Sequence, residues 1–140
     1  MKRILIIIGT VGIVLLLAFL LIIRSIMRQS VIKNIIIATE MYQGTPEEAL
    51  ISMLIDENAP MQERTHTAVW TLGQLKSEIA LPILKDLYKE DPKGETCYGN
   101  HDSMLCQYEI YKAIGAIEKF QLFKFPNLKK VSLERVAGTE

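Results

Sequence analysis

Asn58-Ala59-Pro60-Met61-Gln62-Glu63-Arg64-Thr65-His66-Thr67-Ala68-Val69-Trp70-Thr71-Leu72-Gly73-Gln74-Leu75 is the stretch whose reading decides the fold. Asn58 and Pro60 are helix-starting residues, and Met61, Thr65, Ala68, Leu72 and Leu75 then fall on one stripe at helical spacing. The end of the stretch recurs: Ala68-x3-Leu72-Gly73-x-Leu75 matches Ile110-x3-Ile114-Gly115-x-Ile117 at an offset of 42 residues. The helix before it recurs as well, with Ala49-Leu50 matched by Ala80-Leu81 at an offset of 31. The second unit is thus the first with about eleven residues added between its helices. Helix pairs with a period near forty residues are the mark of an α-solenoid.

These residues resemble the HEAT-repeat family. In that family an acidic turn precedes the second helix, an Arg stands early in it, Ala-x3-Leu-Gly closes it, and the next unit opens Ala-Leu-Pro-x-Leu. Arg64, Ala68, Leu72, Gly73 and Ala80-Leu81-Pro82-Ile83-Leu84 fit that pattern. The second unit departs from it, with Cys106 in the place of the Arg and Ile110 in that of the Ala. The resemblance covers residues 45–120. It implies a scaffold that binds partners along a curved surface, and it implies no chemistry. A variant of the fold serves as bilin lyases, and nothing in these residues marks that use.

The flanks extend the same reading. Thr45 suits a helix N-cap, Pro46 the first helical position, and Glu48 closes a capping box, which predicts a helix through Ile55. Upstream, Val31, Ile35, Ala38 and Tyr42 share a stripe, so residues 29–44 read as a juxtamembrane helix. Downstream, Ser77 caps a helix over residues 78–90 that Pro92 and Gly94 stop. A loop holding Cys97, Tyr98, Gly99, Asn100 and His101 leads to a last helix over residues 103–120, with Cys106, Ile110, Ala113, Ile117 and Phe120 on its apolar stripe. No stretch has the period of two that a half-buried strand needs, and the expected fold class is all-α. Two repeats leave two hydrophobic ends, since a solenoid ordinarily needs about three. The 31–42 helix is expected to cover one end, and the segment Gln121-Leu122-Phe123-Lys124-Phe125-Pro126 to fold back or meet a partner at the other.

Residues 4–23 are twenty positions without an ionisable side chain, sixteen of them Ile, Leu, Val or Phe. As a helix they span ~30 Å, the thickness of the hydrocarbon core. The run is longer than the ~7–15 apolar residues of a cleaved signal peptide, and no small-x-small site comes after it. Residues 1–28 therefore read as an uncleaved signal anchor, giving four segments: anchor (1–28), juxtamembrane helix (29–44), HEAT-like domain (45–120) and C-terminal tail (121–140). Lys2 and Arg3 before the span nearly balance Arg24, Arg28 and Lys33 after it, so the positive-inside rule leaves the orientation open.

The zero net charge hides a segregation. Residues 43–123 carry thirteen acids against seven bases, which argues against nucleic acid as a partner. Cys97 and Cys106 enclose eight residues. In an oxidising compartment they form a disulfide pinning the loop to the last helix, and elsewhere they are two thiols; the bridge is the expectation, and it places the domain outside the cytoplasm. Cys97, His101 and Cys106 fall short of a zinc set, so no metal site is expected. The pairs Glu47-Glu48, Asp56-Glu57 and Glu90-Asp91 are sequence neighbours, placed to cap helix ends and not to converge on one bond. With no phosphate loop, nucleophile elbow or haem motif, neither catalysis nor a cofactor is expected.

Trp70 and Tyr108 are the candidate anchors of an interaction surface, which Arg64 and His66 join. The expectation is a single-pass protein of the cell (inner) membrane, bound to the bilayer through residues 4–23. It presents an extracytoplasmic domain to another membrane or periplasmic protein as an adaptor or accessory subunit. The alternatives are a cytosol-facing lyase-like enzyme helper with a reactive Cys97 or Cys106, and a small zinc-binding sensor domain.

Overall fold

A computed structural model describes residues 2–100, 103–120 and 122–130 of the chain. His101, Asp102, Gln121 and residues 131–140, which include most of the expected tail, lie outside the described residues. All regular structure among the described residues is helical, with no strand.

Helix α1 runs from Lys2 to Met41, so the expected anchor and juxtamembrane helix are one unbroken element. No Gly or Pro stands between residues 24 and 41 to end a helix, so the helix continues past residue 28. The chain divides into two compact units at Ser30/Val31. In the first, Val11, Ile13, Leu15, Leu17, Phe19 and Leu21 are all exposed. In the second, Val31, Ile35 and Ala38 are buried, on the stripe that the sequence predicts.

Helix α2 (Pro46–Ile55) begins with the expected capping box. Thr45 N donates to Glu48 Oε2 at 2.8 Å, and Glu48 N donates to Thr45 Oγ1 at 3.4 Å. Tyr42, just past the end of α1, donates its hydroxyl to Asp56 Oδ2 at 2.7 Å, which ties α1 to the C-cap of α2. That bond raises the Tyr42 pKa and lowers that of Asp56.

The decisive stretch forms a π-helical run, Glu63–Val69, that leads into α3 (Trp70–Leu75). Trp70 N reaches back five residues to Thr65 O. The stripe of Thr65, Ala68, Leu72 and Leu75 is buried as expected. The wider turn itself is invisible to a test of 3.6-residue periodicity over so short a window. Helix α3 ends at Lys76, which adopts the left-handed conformation at φ 53°.

Helix α4 (Ala80–Leu87) is shorter than the expected 78–90. Ser77 Oγ accepts from Ala80 N at 3.1 Å, as a cap would. At the other end Tyr88 turns extended, and Lys89 N donates to Gln107 Oε1 at 2.7 Å in place of a helical carbonyl. Helix α5 (Gln107–Glu118) likewise falls inside its expected limits of 103–120, because Cys106 and Lys119 are extended at its two ends. Cys106, Ile110, Ala113 and Ile117 are buried, whereas Phe120 lies beyond the helix and is 90% exposed. A stripe position helps only while the helix lasts.

Helix α2 packs on the π-helical run and α3, and α3 and α4 both pack on α5. A Cβ on Gly73 would meet Ala113 Cα at 3.0 Å, so this glycine is what lets α3 and α5 lie in backbone contact. A Cβ on the matching Gly115 would meet nothing within 4 Å, so the two similar motifs do different work.

After α5 the chain returns across the domain. Phe125 N donates to Gln74 O at 2.9 Å, Phe125 and Leu128 are buried, and a 3-10 turn (Pro126–Lys130) packs on α2 and α3. Lys129 Nζ lies 3.5 Å from Glu47 Oε1, an ion pair without the geometry of a hydrogen bond. Replacing a buried phenylalanine by alanine removes its transfer free energy and leaves a cavity. The Phe125→Ala chain should therefore lose about 3–5 kcal/mol of stability in a urea titration. A loss below about 1 kcal/mol would mean that the returning segment is not part of the core.

Candidate functional site

Two places bring the predicted site residues together. The first is the cysteine loop. Pro92 and Gly94 break the chain after α4, and Asp91 organises the turn beyond it: its Oδ1 accepts from Glu95 N at 3.0 Å, and its Oδ2 from Thr96 N at 2.8 Å and Thr96 Oγ1 at 2.7 Å. The Thr96 N–H, together with these other donors, holds the Asp91 carboxyl at a pKa of about 2. Gly94, at φ 69°, sits so close to α5 that a Cβ would come 2.8 Å from Tyr108 Cβ and 3.1 Å from Cys97 Sγ. Only glycine fits both the backbone and the space.

Cys97, in the 3-10 turn Glu95–Cys97, and Cys106, the N-cap of α5, are both buried, with their Sγ atoms 2.8 Å apart. Both are free cysteines in this structure, their sulfurs side by side where the sequence places a pair. A covalent S–S bond is ~2.05 Å long, so the two sulfurs are in close contact without being bonded. Cys97 Sγ also donates to Gly94 O at 3.3 Å. Burial, then the contact with Cys97, pushes the Cys106 thiol up, against the lowering by the Glu109 and Tyr108 N–H groups at the start of α5. A raised thiol pKa suits a structural cysteine and not a nucleophile. Among the described residues no three His, Cys, Asp or Glu side chains converge as metal ligands.

The second place is a shallow cleft of about 280 Å³, counted with the solvent at its mouth, between α3 and α5. Trp70, Gly73 and Gln74 line it from α3, and Glu109, Lys112, Ala113 and Ala116 from α5. The close helix crossing at Gly73 lies within this lining, and Trp70 is half-buried. Lys112 Nζ lies 3.1 Å from Glu109 Oε1 and 4.8 Å from the Tyr108 ring centroid, a cation–π contact. Tyr108 is therefore joined to the rim of the Trp70 cleft through Lys112. Gln74 is buried, and its Oε1 has no hydrogen-bond partner among the described residues. The enclosed part of the cleft is about 50 Å³, far below the ~300–1,000 Å³ of a typical small-molecule pocket.

Arg64 and His66 are placed elsewhere. Arg64 is turned inward, 8% exposed, with Nε donating to Leu54 O at 2.9 Å, so it satisfies a carbonyl at the end of α2. His66 is exposed on the π-helical run. Sequence reasoning missed Gln74, Glu109 and Lys112; the Gly73–Ala113 contact that assembles them links residues forty apart, and no local signal announces it.

Set beside family models, curated proteins and solved structures, the chain matches none of them.

The Asp91 geometry has a pH consequence. Its carboxyl ionises more readily folded than unfolded, so the ionised form supports the loop at neutral pH and that support is lost as pH falls through the ordinary carboxylate range toward about 2. Amide hydrogen exchange at Glu95, Thr96 and Cys97 should accelerate on acidification after correction for intrinsic rates. An Asp91→Asn chain should exchange faster at neutral pH and show a flatter profile.

Proposed function

We propose that the protein is a single-pass membrane protein whose HEAT-like helical domain acts as an adaptor or accessory subunit, gripping another membrane or extracytoplasmic protein. The observation that carries the reading is the helix of residues 9–41, long and apolar enough to cross a membrane and none of its most apolar window buried within the protein. Water does not tolerate that much exposed Leu, Ile, Val and Phe on one helix, whereas a bilayer rewards it.

The HEAT-like reading rests on consecutive packed helices, on the Ala68 and Ile110 motifs falling on two helical segments that pack together, and on Arg64 bonded to the end of the preceding helix. The adaptor reading rests on the cleft. Trp70 and Tyr108 offer aromatic anchors beside an ion pair and a buried amide oxygen, the composition found where interfaces concentrate their binding energy. The alternative of an enzyme helper with a reactive cysteine calls for a thiolate, and burial of the Cys106 thiol works against one.

Two measurements test this reading. After extraction in mild detergent, the chain should co-purify with a stoichiometric protein partner. The double variant Trp70→Ala, Tyr108→Ala should lose that partner by tenfold or more, the effect of ~1.4 kcal/mol, while melting within a few degrees of the parent. A partnerless wild-type chain would sink the adaptor reading. For orientation, Tyr98 is 87% exposed, so a Tyr98→Cys chain offers an accessible thiol. A membrane-impermeant maleimide should label it in intact cells, with the buried native thiols unlabelled; labelling that needs lysis would reverse the orientation.

A further inference from the structure

The turn after α5 combines two features that the cleft does not use. Lys119 ends the helix, and Lys124 Nζ donates to its carbonyl oxygen at 2.9 Å, which closes the chain into a short loop. Within it Phe120 and Leu122 are 90% and 65% exposed, although Phe125, just beyond Lys124, is buried. Two large apolar side chains held out in water side by side invite a partner that covers them.

The base of the same loop is cationic. Phe125 N on Gln74 O sets residue 124 beside the end of α3, where Lys76 takes its left-handed turn. Burial first, then the charge of Lys76, lowers Lys124 to about 8. Lys119 is exposed at the same base. Glu118, beside Lys119, is already paired with Lys85. Like charges held together attract an anion.

We infer that Phe120 and Leu122, with Lys76, Lys119 and Lys124 behind them, form a contact surface for an anionic lipid bilayer, the apolar tips entering between headgroups whose phosphates meet the lysines. Apolar tips on a cationic base match the layering of a membrane surface, in which negative headgroups overlie hydrocarbon. A free phosphate would satisfy the lysines and leave Phe120 and Leu122 in water, and a protein groove would have no use for three clustered cations. Only seven residues of chain separate Ile23, the last residue of the apolar run, from Val31, the first buried in the domain. The inference rests on the bilayer reading of α1, since a chain tethered so closely meets headgroups at high effective concentration.

The test uses the full chain in lipid nanodiscs, of phosphatidylcholine alone or with about one-third phosphatidylglycerol, pulsed with a water-soluble acetylating ester and read lysine by lysine by mass spectrometry. In the anionic discs Lys76 and Lys124 should react about fivefold more slowly than in the neutral ones, while exposed Lys93 is unchanged. The protection should weaken in high salt, and the Phe120→Ser, Leu122→Ser chain should lose most of it. Equal labelling in the two discs overturns the inference, as does protection in neutral discs brought about by inorganic phosphate alone. A chain that does not enter discs at all overturns the bilayer reading of α1 itself, so the two failures are told apart.

Discussion

Where α3 crosses α5, there is no room for a side chain on Gly73: a Cβ there would stand 3.0 Å from Ala113 Cα and 3.2 Å from Ala113 Cβ. Helices ordinarily pack ~8–10 Å apart, at a distance set by the side chains between them. Removing one side chain at the crossing brings the backbones together. The crossing brings Trp70 of α3 and Glu109 and Lys112 of α5 into one cleft, where the Gln74 side chain is buried without a partner for its oxygen among the described residues. It also fixes Gln74 O where Phe125 N can reach it, so the closing segment of the core takes its position from the same contact.

Around this crossing the connections are held by polar groups that replace lost helical bonds. Arg64 reaches the end of α2, Gln107 the end of α4, and Asp91 the N–H groups of the cysteine loop. Each answers the same physical demand: a helix end leaves carbonyls or amides unpaired, and a buried chain must pair them. The Lys124 ammonium on Lys119 O answers that demand at the end of α5. The thiols of Cys97 and Cys106 are brought within 2.8 Å by the Asp91 turn on one side and the start of α5 on the other.

Much of this was legible in the residues, for reasons that can be named. The apolar run of residues 4–23 and the capping box at Thr45 are local signals, complete within a few positions, and both occur as read. The buried stripes through Ala68 and Ile110 were legible because a 3.6-residue period leaves a long trace. Helix ends were read too long at residues 78–90 and 103–120, because partners distant in sequence, such as Gln107 for Lys89, end them. The π-helical run escaped notice because five-residue bonding shifts only a turn or two of the pattern. Of the candidate site, Trp70 and Tyr108 could be named from their chemistry, whereas the inward turn of Arg64 depends on Leu54 O, which a side-chain pattern does not contain.

The returning segment closes the core through non-covalent contacts alone. Phe125 and Leu128 are buried, yet they connect to α5 through the exposed residues Phe120 and Leu122. A single proteolytic nick in that connection would free the strap, and its docking would no longer be favoured by being part of one chain. Exposed loop tips are where proteases cut most readily. The turn is therefore a natural severing point: one cleavage far from the cleft would uncover apolar surface on α2 and α3 and loosen the entire helical stack, making the protein's lifetime sensitive to what shields those few residues.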